Sequence, residues 1–214
     1  MGLSITVGLL DDQARNDAEG LAYHRRAFAR LTEALAVNGI TWQEPEICDP
    51  PAVPAVSAHV PHSHVTRLRR LYALAECGEP LTPASETDSE QYDRDCQKIQ
   101  DETAMLASHL LCHADDSGYY IPVDFGEPLF LPLEAGVEGQ GMVGSSQRLL
   151  AELAGLARPL GIRLDADATL STAEEAALAG FEPDTPFSME KSTWYQLYRA
   201  CRASVAGGHA IVFH

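Results

Sequence analysis

Apolar residues in this chain recur mostly at spacings of three and four, and the strand-like runs between them are short and irregularly placed. A helix brings every third or fourth side chain to one face, whereas a half-buried strand needs strict alternation, so this pattern limits the architectures open to the chain. Leu21, His24, Phe28, Leu31 and Leu35 form one helical stripe, stopped by Asn38 and Gly39. Val65, Leu68, Leu71, Tyr72 and Ala75 form a second, and Arg67, Arg69 and Arg70 on it make a basic cluster. A third helix follows residue 90 and runs to about Ala107. Ser145 or Ser146 caps a fourth, whose apolar face is Leu149, Leu150, Leu153 and Leu156. Two more are expected near 172–180 and 189–206.

Residues 3–10 (LSITVGLL) read as a first strand or a helix start, and extended segments are expected at 40–47 and 210–213 (AIVF). Residues 109–113 (HLLCH) and 119–125 (YYIPVDF), separated by ADDSG, read as a hairpin. Pro122 cannot donate to a ladder, which places the second run at a sheet edge or a bulge. Helices outnumber strands and do not alternate with them. The fold class is therefore α+β, with about five or six helices around a small, mostly antiparallel sheet. Residues 49–61 hold four of the thirteen prolines and read as a loop, and residues 78–90 read as a mobile acidic loop. Neither divides the chain, so residues 1–214 are expected to form a single domain.

Acidic residues number 31 against 15 basic ones, a formal net charge of -16. A field of this sign repels phosphates, so neither nucleic acid nor an anionic membrane is an expected partner; a basic protein is. The five cysteines are odd in number and widely spaced, without a Cys-x-x-Cys pair, which fits free thiols in a reducing compartment. The apolar start is too short for a span, lacks a basic leader and runs into Asp11 and Asp12, so a cytoplasmic location is expected.

Residues 108–125 (SHLLCHADDSGYYIPVDF), 142–153 (MVGSSQRLLAEL) and the final AIVF together resemble an uncharacterised family of bacterial proteins. In that family a SHLLCH-type run precedes a Tyr-rich PVDF strand and a Gly-Ser-Ser helix start. The resemblance covers about half the chain, between Ser108 and Leu153 above all. It implies a bacterial, soluble, single-domain protein and carries no established function or catalytic residues.

Chemistry is concentrated in one place. His109, Cys112, His113, Asp115 and Asp116 are the densest group of ligand-type residues. His109 and His113, four apart, share a face in a helix and also in a strand. With Asp115 or Asp116 they form a candidate site for a divalent metal such as zinc, with a position open for water; a third ligand at fixed spacing and a general base are missing. No other cofactor is expected. His59, His62 and His64 form a second, loop-borne cluster. Gly139, Gly141 and Gly144 match G-x-G-x-x-G, but no buried strand directly precedes them, so the dinucleotide reading fails in context. The helix start at Gly144, Ser145 and Ser146 is a candidate anion site through its free N–H groups. Trp194 and Tyr198, at i and i+4, are expected to face the core.

Two readings follow. One is a non-enzymatic acidic protein-binding module of the immunity or antitoxin kind. The alternative is a metal-dependent hydrolase built on His109 and His113.

Overall fold

The computed structural model of the protein describes residues 2–48, 51, 54–114, 116–180 and 185–214. In chain order its main elements are β1 (Gly2–Val7), α1 (Leu9–Asn16), α2 (Ala18–Val37), β2 (Val56–Pro61), α3 (His62–Glu76), α4 (Ser89–Thr103) and α5 (His109–Cys112). Then come β3 (Gly118–Ile121), β4 (Leu129–Phe130), β5 (Met142–Ser145), α6 (Ser146–Ala157), α7 (Thr172–Ala179), α8 (Ser188–Gly207) and β6 (Ile211–Phe213). The six strands form one sheet in the order β2-β1-β6-β3-β5-β4. Only β3 and β5 run parallel; the other pairings are antiparallel. This is the expected α+β class with a mostly antiparallel sheet, although the described residues form eight α-helices rather than five or six.

Alternation along the strands gives the sheet two apolar faces. Leu3, Ile5, Val7, Val60, Tyr120, Ile211 and Phe213 face α3, α6 and α8, meeting Leu68, Leu71, Leu149, Leu153, Trp194 and Leu197. Tyr119, Ile121, Val143 and Val212 face the other way, against Phe28, Leu31 and Leu35 of α2. The helical stripes at 21–35 and 65–75 are thus the two faces that close on the sheet from opposite sides. α4 lies outside this sandwich, packed on α3 and α5.

The expected hairpin is absent. Residues 109–112 form a single helical turn, and β3 pairs with β6 on one side and β5 on the other. β3 is therefore an interior strand, and it ends at Ile121, so Pro122 falls just beyond the ladder that it cannot join. A strand also lies inside the proline-rich segment: Val56, Ala58 and Val60 alternate buried with exposed neighbours, and Pro61 is its last residue. Residues 49–50 and 52–53 of that segment lie outside the described residues. Residues 40–48 adopt no regular structure. The acidic segment holds a 3-10 turn at Ala84–Glu86 and leads into α4 at Ser89. Among the described residues no helix is long and apolar enough to cross a membrane.

Candidate functional site

α5 is too short to hold itself, because one turn leaves its terminal N–H and C=O groups unmatched. Two long-range charges supply the partners. The Glu152 carboxylate of α6 accepts from the backbone N–H of His109 (2.7 Å) and of Leu110 (2.7 Å), and from Ser108 Oγ (3.3 Å). At the other end the buried Arg69 guanidinium donates to the carbonyls of Leu110 (2.9 Å) and His113 (2.6 Å). The signs suit the dipole of the turn. Burial raises the Glu152 pKa to about 7, against the lowering effect of its three donors.

The two candidate histidines do not converge. His109 Nδ1 accepts from the Ser145 N–H at 3.0 Å, so the proton sits on Nε2, which faces the Gly126 carbonyl at 3.4 Å. Neither nitrogen offers a lone pair to a metal. His113 donates from Nδ1 to the Ala114 carbonyl (2.7 Å), and its bare Nε2 is buried without a partner against Gly118. Its ring stacks on Tyr120 at 4.3 Å, with Phe213 edge-on at 4.5 Å. Burial, with Arg69 adding to it, lowers the His113 pKa to about 3, and burial lowers that of His109 too. Asp116 is exposed and accepts from Ser117 Oγ; Asp115 lies outside the described residues. Among the described residues no three His, Cys, Asp or Glu side chains gather to hold a metal ion.

Gly144, Ser145 and Ser146 are buried. Ser145 caps α6, its Oγ accepting from the Arg148 N–H, while its own N–H is spent on His109. Ser146 Oγ meets Ser204 Oγ at 2.7 Å. A Cβ at Gly144 would lie 2.2 Å from the Tyr120 ring, so this glycine answers to close packing. The first glycines of the fingerprint precede β5 rather than follow a strand. His59 lies in β2, and His62 and His64 open α3.

The exposed charges have a different distribution. Between residues 76 and 103 the exposed acids are Glu76, Glu79, Glu86, Asp88, Glu90, Asp93 and Asp101, and the one exposed base is Arg94. Glu90, Asp93 and Asp101 lie on α4, where eleven residues at 1.5 Å each span roughly 16 Å, about five base-pair steps of duplex DNA. Two of the three arginines of the α3 cluster do not offset this surface, and the third, Arg67, is half-buried. Arg70 is fully buried, with Nη2 2.6 Å from the buried Asp95 carboxylate of α4, and Arg69 is turned to α5. The exposed Arg25, Arg26 and Arg30 belong to α2, on the opposite face of the sheet. Sequence reasoning noted the arginines but not their burial. The signal was available: Arg69 stands four residues after Val65, on the apolar stripe of α3.

The fold and this surface define an α+β protein that buries Arg69 and Arg70 of α3 beside a segment rich in exposed acids. The chain belongs to the family described as "Putative DNA-mimic protein", which it matches over residues 1–213. No curated protein and no solved structure matches it. Membership overturns the immunity- or antitoxin-like module and the metal-dependent hydrolase, the latter already opposed by the occupied nitrogens of His109. It also corrects the partners expected from charge, a basic protein and no nucleic acid, because the family is described as a mimic of DNA.

Proposed function

We propose that this chain acts as a DNA mimic, docking its acidic surface on the DNA-binding face of a protein. The observation that carries the reading is the surface at 76–103, seven exposed acids against one exposed arginine, in a member of this family. Proteins that hold DNA take much of their affinity from Lys and Arg placed against phosphates. Carboxylates fixed along a helix offer those cations an alternative set of negative charges, and electrostatic steering speeds the encounter. The reading places the protein in the cytoplasm with the DNA-binding proteins it would engage.

Competition tests it. Proteins retained from a cell lysate by the immobilised chain should be released by added duplex DNA. Retention should fall at least tenfold for a variant with Glu86→Gln, Glu90→Gln, Asp93→Asn and Asp101→Asn, since about 1.4 kcal/mol from four lost charges suffices. Retained proteins that duplex DNA fails to displace would overturn the reading, as would an empty column.

A further inference from the structure

We propose that Arg70 is the positioning residue of the acidic surface: it is the main buried tie between α3 and α4, and α4 opens as a unit when its pair with Asp95 is lost. The inference rests on the DNA-mimic reading for its functional consequence, but its structural half stands separately. α4 buries a single side chain, Asp95, and contributes no residue to either core cluster. Its apolar residues Tyr92, Cys96 and Ile99 are only half-buried. These three, at i, i+4 and i+7, make a thin apolar stripe that docks the helix only shallowly.

Arg70 supplies what the apolar face does not. From α3 its Nε donates to Asp95 Oδ2 at 2.8 Å, and Nη2 lies 2.6 Å from the same oxygen. Nη1 donates to the Thr82 carbonyl (2.7 Å), and Nη2 also reaches Thr82 Oγ1 (2.7 Å) and Thr87 Oγ1 (3.0 Å). The guanidinium lies over the Tyr92 ring, 5.7 Å from its centre. One side chain therefore ties α3 to α4 and to the segment that precedes it. Asp95 Oδ1 is filled by Gln91 Nε2 at 2.7 Å, with Lys98 Nζ at 3.5 Å. The remaining ion pair across the contact, Lys98 with Glu79, is partly exposed and contributes little.

Removing one member of a buried pair leaves the other charge desolvated and unmatched, whereas replacing both with apolar groups is often neutral. With only shallow apolar anchorage of its own, α4 relieves that charge by swinging into water, and Glu90, Asp93 and Asp101 lose their fixed spacing. The sheet and its other helices do not depend on the pair and stay folded.

Native-state hydrogen exchange on the full chain tests this, comparing wild type, Arg70→Met and the double variant Arg70→Met/Asp95→Leu. In Arg70→Met, α4 amides should exchange on the order of a hundredfold faster, with those of β1, β6 and α8 unchanged. DNA-competed capture should fall with them, and the double variant should restore both. Unchanged α4 protection in Arg70→Met overturns the proposal, as does equal loss of protection in α4 and the sheet. Full capture by an Arg70→Met protein with open α4 overturns the positioning role and leaves DNA mimicry intact. A wild type that captures nothing DNA-competed ends the mimic reading, while the exchange comparison still decides whether Arg70 holds α4.

Discussion

His113 has no solvent to share a proton with. Stacked on Tyr120 and buried, it stays neutral in the folded protein down to about pH 3, whereas an unfolded chain protonates it near the ordinary 6.5. Between those values the unfolded state holds the extra proton, so this residue's contribution is complete above the unfolded value and is lost as pH falls below it. A His113→Phe variant keeps the ring contacts and removes the titration. Its thermal midpoint should fall less than that of wild type between pH 7 and pH 4, and parallel falls would show that His113 does not carry the effect. Gly144 carries a second residue-scale expectation. Alanine there drives a methyl group into the Tyr120 ring, and a urea titration should show a loss of about 1–3 kcal/mol. Both residues carry a visible sequence signal, a His-x-x-x-His spacing and a glycine at a helix start, and the structure puts each to a packing use. Ring nitrogens in His-x-x-x-His are ligands only if nothing else takes them, and here the Ser145 amide, 36 residues away, takes one.

At the scale of elements, legibility followed length and amphipathicity. α2 and α3 could be read from their stripes because each presents an apolar face to the sheet, and the cap of α6 could be read from its serine. α5 could not, since a four-residue apolar run has no period and a strand fits it equally well. Its ends are completed by Arg69 and Glu152, which are far away in sequence. β2 was hidden for another reason: prolines mark a loop, yet here they flank the strand or close it. Pro122 points to an edge or a bulge only if it lies within the strand, but the ladder of β3 ends at Ile121, just before it. The acidic surface was legible as composition and not as a place. Net charge cannot show that Arg70 is buried while Glu90 and Asp93 are exposed.

Across the whole molecule, Trp42 and Trp194 report on opposite faces of the sheet. Trp42 donates to the Gly208 carbonyl beside the α2 cluster, and Trp194 donates to the Leu153 carbonyl within the other cluster. We propose that the sheet and both layers unfold together as one domain. The fluorescence midpoints of Trp42→Phe, which leaves Trp194, and of Trp194→Phe, which leaves Trp42, should each coincide with that variant's far-ultraviolet circular dichroism. Separated midpoints would divide the chain. The position of β6 adds a consequence for synthesis. It is the strand that joins β2 and β1 to β3, β5 and β4, through β1 on one side and β3 on the other. A ribosome that has made the other five strands has thus made two separate half-sheets with raw edges. Until residues 211–213 are in place the facing edges of β1 and β3 have no partner, and an unpaired edge is where a nascent chain is open to mispairing with its neighbours.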